Sequence, residues 1–165
     1  MKIDPDDLCP CGSGLRFKRC CQDEENQPFP ESPEELLAER FAALQNGDFE
    51  RLHASYHPDS PFLQQFYDRG AYVNFARQQL RGIRLRKWQR LDWRRLDAQR
   101  VEQLLAMEIS VDGGTTYLYE LALLVLTGAG WRYHSAQKLS GEDYQGPPEK
   151  LDFHHFDNAV QKIRY

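Results

Sequence analysis

Outside residues 9–21 this 165-residue sequence has no cysteine at all. A disulfide framework spread through the main body is therefore excluded. No apolar run approaches the length of roughly 18–20 residues that a bilayer-spanning helix needs. The opening "MKIDPDDLCP" is acidic and has no apolar h-region, so it does not read as a signal peptide. With nothing routing the chain outward, the expectation is a cytoplasmic protein whose thiols stay reduced. Residues 23–39 contain no Lys or Arg but carry seven carboxylates, whereas residues 77–100 carry nine cations against Asp92 and Asp97. Within a net charge of −4 the two signs are thus segregated along the chain.

What is present begins with the cysteines. "LCPCGSGLRFKRCC", residues 8–21, holds Cys9, Cys11, Cys20 and Cys21 in the pattern C-x-C-x8-C-C. Two explanations compete, disulfides and a tetrahedral thiolate site for zinc. Adjacent Cys20 and Cys21 do not pair easily with each other, and the setting is not secretory. Gly12 and Gly14 let the backbone curl around an ion, and Ser13 suits the same turn. Arg16, Lys18 and Arg19 would offset the charge of four thiolates. These features favour one zinc, and four protein ligands leave no open position, so its role is structural rather than catalytic.

The stretch "CPCGSGLRFKRCC" closely resembles the SEC-C motif, best known as the zinc-binding tail of the SecA translocation ATPase. The resemblance makes Cys9, Cys11, Cys20 and Cys21 the ligands of one structural Zn2+. In that ATPase the tail contacts an export chaperone and the ribosome. By analogy a protein partner or ribosome would dock here, with Arg16, Lys18 and Arg19 as contact candidates.

The rest of the chain divides by texture into four parts: residues 1–22, the zinc-binding motif; 23–33, an acidic Pro-rich linker, extended and mobile; 34–140, an α+β domain; and 141–165, a tail. Ser32 and Pro33 start a helix that carries Leu36, Leu37, Arg40, Phe41 and Leu44 and stops at Asn46-Gly47. Asp48 caps a second, bearing Phe49, Leu52 and Tyr56, which "HPDSP" breaks. A third is expected from about Phe62 to Leu80, interrupted near Arg69-Gly70, with Tyr72, Phe75, Ala76 and Leu80 on one face. Strands are expected near 86–96, 100–111, 115–127 and 130–139. Asp112-Gly113-Gly114 and Gly128-Ala129-Gly130 join the last three as hairpins. Helices followed by an antiparallel sheet make an α+β fold, closed by a short helix near 155–163.

"ERFAALQNGDFERLHASYHPDSPF" resembles the opening helices of the YchJ-type family, which joins a SEC-C motif to a nuclear transport factor two-like domain. "TTYLYELALLVLTGAGWRYHSAQ" is similar to that domain's closing hairpin, with Glu120, Trp131 and Tyr133 on family positions, as is the His57-Pro58 pair. The sequence departs from the pattern in having no second SEC-C motif at the C-terminus. It also has Ser135-Ala136 where Asp-Gly is frequent. The resemblance implies a cone in which helices and a bent sheet enclose a pocket, some members being isomerases or dehydratases and many inert. It also implies pairing through the sheets, hence a homodimer.

Candidate catalytic residues follow from that cone: His57 and Glu120, with His134 no stronger, and Tyr56, Tyr67, Tyr119 and Trp131 as walls. Each has an ordinary structural role as well, His57 capping its helix's last carbonyls and Glu120 pairing with a cation across the sheet. His154-His155 reads as a surface or cone-mouth feature, because two adjacent side chains rarely converge on one ion. The basic run around Trp88 and Trp93 would place Trp88, Arg90, Asp92 and Arg94 on one strand face, with Leu91 and Trp93 on the other. Arg86, Arg90 and Arg94 are the candidate contacts for nucleic acid. The net negative charge disfavours that reading. The leading expectation is a zinc-containing adaptor with a ligand- or partner-binding cone. The alternatives are a small-molecule enzyme and an RNA or ribosome binder.

Overall fold

The structure, a computed structural model, describes residues 3–10, 16–19, 22, 30–159 and 163–164. Helix α1 (Pro33–Asn46) begins where the Ser32 hydroxyl accepts a hydrogen bond from the Glu35 amide, with Pro33 in the first turn. It ends at Gly47, whose φ of 68° favours a residue without Cβ. Asp48 likewise caps α2 (Phe49–Ala54). Leu36 and Leu37 of α1 are fully buried, each contributing about 1.5–3 kcal/mol by removal from water.

The third helix is shorter than the sequence pattern predicts. Residues Leu63–Gln65 form a 3-10 turn, Phe66 is extended, and α3 runs only over Arg69–Gln79. The Asp68 carboxylate fixes this start by accepting from the Ala71 amide at 2.8 Å, as an N-cap does. Upstream, Phe62 and Phe66 pack edge-on against each other and against Tyr72, and both rings lie against Phe75. A continuous helix would pull this aromatic cluster apart.

Four long strands, β1 (Ile83–Arg95), β2 (Arg100–Val111), β3 (Gly114–Thr127) and β4 (Gly130–Ser140), form an antiparallel meander in sequence order. Residues Ile163–Arg164, strand β5, pair antiparallel with β4 at the edge. The β2–β3 turn has Asp112 and Gly113 both at positive φ, 50° and 81°, as a tight primed hairpin requires. Each face of the sheet is covered. Phe41 and the two leucines of α1 pack on Val101, Leu105, Met107, Leu124 and Tyr133 on one side. On the other side lie Leu104, Ala106, Tyr119, Leu121 and Leu139, covered by Leu151 and Phe156 from the tail. Among the described residues no helix is long and apolar enough to cross a membrane.

Three bulges correct the expected strand parity. Strand β1 slips register between Leu85 and Lys87 and again between Arg90 and Asp92. An extra residue in one strand flips everything beyond it to the other face. Trp88 therefore stacks on Phe41, and Arg90 reaches Glu34 of α1, both on the helix face. Past the second bulge Arg94 meets Glu102 and Asp157 on the tail face instead. The expected single face of Trp88, Arg90, Asp92 and Arg94 does not exist. The third bulge, on β4, leaves His134 between the pairs Leu123–Ser135 and Leu124–Tyr133.

The tail also differs from expectation. Its helix α4 is Phe153–Asp157, because the Asp152 carboxylate caps it by accepting from the His155 amide, and Asn158 closes it. The linker's last residues are fixed: Pro30 is buried and its carbonyl accepts from the Trp131 amide at 3.0 Å. Residues 23–29 lie outside the described part.

Candidate functional site

Between the helices and the sheet face they cover lies a cavity of about 360 Å³. Tyr72, Phe75, Ala76 and Leu80, the expected face of α3, all line it. Phe41 and Leu44 of α1 and Leu85, Met107 and Ile109 of the sheet supply further apolar wall. Such a volume, apolar with a few converging polar groups, is typical of small-molecule sites.

The polar groups in the lining include Arg40, Tyr56, Glu120, Tyr133 and Lys138, with Ser135 and Gln79. The end of α2 is stapled to β4: the Tyr133 amide donates to the Ser55 carbonyl at 2.9 Å, and the His57 amide to the Tyr133 carbonyl at 2.8 Å. This clamp holds Tyr56 and Tyr133 with ring centroids 5.3 Å apart, edge to face. The Arg40 guanidinium carbon sits 4.5 Å from the Tyr56 centroid and 3.7 Å from that of Tyr133, and Arg40 Nη1 donates to Ser55 Oγ at 2.6 Å. Tyr133 Oη in turn donates to Glu120 Oε1 at 2.6 Å, while Lys138 Nζ is 3.8 Å from Glu120 Oε2. Burial, reinforced by the Glu120 carboxylate, pushes the Tyr133 phenol up, so it stays protonated as a donor.

Of the residues singled out from the sequence, then, Glu120 and Tyr56 line the cavity. His57 does not: its Nδ1 accepts from the Asp59 amide at 3.0 Å, and its ring packs 5.4 Å from that of His134. It caps the following turn rather than the carbonyls of α2. His134 Nδ1 lies 3.0 Å from Ser135 Oγ, and burial beside His57 lowers its pKa. Tyr67 is almost fully exposed, Tyr119 belongs to the opposite face of the sheet, and Trp131 is buried without lining the cavity. Arg86 is exposed, and His155 is exposed and held by Asp152. Sequence reasoning misses Arg40 as a site residue. Its signal is a cation on the apolar stripe of α1, between Leu37 and Phe41.

One titrating group sits behind the pocket. His53 packs 5.2 Å from the Tyr72 ring, and burial, with Arg69 nearby, lowers its pKa to about 4. Unfolding restores the ordinary 6.5, so the unfolded chain binds the extra proton between those values. Stability should be full above pH 6.5 and fall as the pH drops toward 4. Urea midpoints at pH 7 and pH 4.5 test this, and His53→Gln should reduce the loss. An equal loss in the variant would show that His53 plays no part.

In the N-terminal segment the Phe17 amide donates to the Asp7 carbonyl at 2.8 Å and the Lys18 amide to the Pro5 carbonyl at 2.9 Å, beside a bridge between Leu8 and Arg16. The stretches leading into Cys9 and Cys20 are thereby held side by side. Cys9 is buried, as a ligand to an enclosed ion would be. Cys11, Cys20 and Cys21 lie outside the described residues, as does the side chain of Arg19. A set of four thiols suits zinc, and the described frame fits that use. Lys18 pairs with the Asp6 carboxylate and holds it below its ordinary value, and Arg16 donates to the Asp6 carbonyl.

Residues 7–23 match the family model of the SEC-C motif. The chain thus carries a match to the SEC-C motif ahead of a main body in which helices pack on an antiparallel sheet, an α+β fold. The curated relatives it matches include UPF0225 proteins. That of Serratia proteamaculans is 41% identical over 54 residues, covering 32% of this chain and 35% of the relative. That of Deinococcus radiodurans is 38% identical over 56 residues, 32% of this chain and 41% of the relative. The chain thus spans little more than a third of the length of the relatives it matches. The fold is shared with a SEC-C motif containing protein from Rhodopseudomonas palustris, at TM-score 0.55 and 18% identity over 79% of this chain and 97% of that one. It is shared too with one from Psychrobacter arcticus, at TM-score 0.52 and 18% identity over 78% of each chain.

Proposed function

We propose that the protein is a cytoplasmic adaptor with a metal-stabilised docking knuckle and a small-molecule pocket. The observation that carries this is the cavity of about 360 Å³, apolar in its walls, with Arg40 and Glu120 buried in its lining. Cys9, Cys11, Cys20 and Cys21 hold one structural Zn2+, which supplies the folding free energy that so small a segment cannot draw from a core. The knuckle presents Arg16, Lys18 and Arg19 to a protein or ribosomal partner. Occupancy of the cone is what the adaptor reports.

One observation favours a second reading, a small-molecule enzyme. The Glu120 carboxylate, bonded to Tyr133 in the cavity wall, has the placement of a general base. His57, outside the cavity, has no such placement.

Native mass spectrometry of protein expressed in the cytoplasm, intact and after mild denaturation, tests the proposal. The expected result is one zinc per chain, absent in Cys20→Ser, and an organic mass released on denaturation. A mass four hydrogens light without zinc would mean disulfides and would end the metal reading. Chemical conversion of the released compound by native protein but not by Glu120→Gln would favour the enzyme.

A further inference from the structure

The ligand's chemical class can be read from the lining, given the reading of the cavity as a ligand pocket. Arg40 is only 8% exposed, and its guanidinium stays charged. Among the described residues it forms no ion pair. Its side-chain hydrogen bond goes to the uncharged Ser55 hydroxyl, and the rings of Tyr56 and Tyr133 face it. The carboxylate in the lining, Glu120, is turned to other partners, Tyr133 and Lys138. Burying a cation without a counter-charge is costly, and cation–π contacts return only part of that cost. Arg40 and Lys138 against Glu120 leave the lining with one positive charge in excess.

Three properties then meet in one enclosure. A guanidinium has donors left over in the fixed fork that matches a carboxylate. A single net positive charge calls for a monoanion. The walls around it, Phe41, Leu44, Phe62, Phe75, Leu85 and Met107, call for an apolar body. At about 30 Å³ per water, the volume holds on the order of a dozen such groups. We infer that the cavity binds an amphipathic monocarboxylic acid, its carboxylate on Arg40 and its apolar body along the α1, α3 and β2 walls. Phosphate monoesters, with close to two charges at neutral pH, fit the single excess charge less well, and flat polar metabolites leave the walls unfilled.

The test uses the full-length, metal-loaded protein. Octanoate, decanoate and 4-phenylbutyrate are titrated in, each beside its matched primary alcohol and primary amine. Calorimetry and tryptophan fluorescence are the readouts; Trp88 stacks on Phe41, a wall residue, with centroids 4.3 Å apart. At least one carboxylate should bind about tenfold or more tighter than its alcohol, with the amine weakest. Arg40→Met should erase that preference and leave the alcohol's affinity within about threefold. Glu120→Gln removes the competing carboxylate yet keeps an acceptor for Tyr133. It should tighten the carboxylate several-fold and leave the alcohol unchanged.

Circular dichroism checks that Arg40→Met folds; where it does not, Glu120→Gln decides. An alcohol that binds as well as its carboxylate would overturn the class while leaving the pocket reading intact. So would a preference that survives Arg40→Met, or a carboxylate affinity that Glu120→Gln leaves unmoved. Failure of all nine compounds to bind would overturn both the class and the pocket.

Discussion

Phe156→Ala is expected to lower the unfolding free energy by about 3–5 kcal/mol, the range for truncating a fully buried aromatic. The side chain is wholly inaccessible although it sits on a helix of only five residues near the end of the chain. It covers Leu104, Tyr119, Leu121 and Leu139, the apolar face of the sheet turned away from the cone. Helix α4 has too few turns to form alone, so its structure depends on this contact and the contact depends on its cap at Asp152. Truncation should therefore release the tail as well as leave a void. The variant should show a lower urea midpoint and faster amide exchange over 151–159. Tyr67 is almost fully exposed, so Tyr67→Ala serves as a control. Its effect should stay within about 0.5 kcal/mol. A loss below about 1 kcal/mol in Phe156→Ala, no more than an average substitution gives, would mean the tail is an ornament on a sheet stable without it. Analytical ultracentrifugation of the same variant bears on assembly. The sheet face turned away from the cone is covered here by the chain's own tail. Association that appears only in Phe156→Ala would identify that face as self-adhesive and the tail as its cover.

What is legible in the sequence is what neighbouring residues decide among themselves. Ser32 and Asp48 start helices because their side chains accept from the amides three residues on, and Asp112-Gly113 turns because both positions accept positive φ. Asp68 and Asp152 carry the same signal, and reading them as caps corrects both misplaced helix starts. The bulges are different. Whether an extra residue is accommodated near Arg86, at Leu91 or at His134 depends on how long strands must bend to wrap a cavity, and no alternation within one strand records it. From the sequence alone the basic run consequently looks like one charged face. In the fold Arg90 is paired with Glu34 on one side and Arg94 with Glu102 and Asp157 on the other. The pocket is half legible. Glu120 stands out as a carboxylate inside an apolar run, but Arg40 is absorbed into a helix stripe whose period it fits, and only the fold shows which space that stripe encloses.

Stripping the metal with a chelator, or replacing Cys20 with serine, is expected to unfold the N-terminal segment outright and to leave the cone intact. Structural zinc contributes an apparent ~10–16 kcal/mol at neutral pH to small thiolate sites, far more than the described contacts of this segment offer. Those contacts include three backbone hydrogen bonds of 2.8, 2.9 and 3.0 Å, a bridge at Leu8 and Arg16, the Arg16 bond to the Asp6 carbonyl, and the exposed pair of Lys18 with Asp6. A surface pair contributes little, so Asp6→Asn should be nearly silent where Cys20→Ser is decisive. Hydrogen exchange at the Phe17 and Lys18 amides reads the outcome, because each donates within the segment to Asp7 or Pro5. Their protection should vanish with the metal, while amides of β2 and β3 exchange as before. Protection that survives chelation would show that the segment is held by something other than an ion. A cone that loses stability in step with metal loss would show that the knuckle is part of its core, and docking would then have to act through the pocket as well.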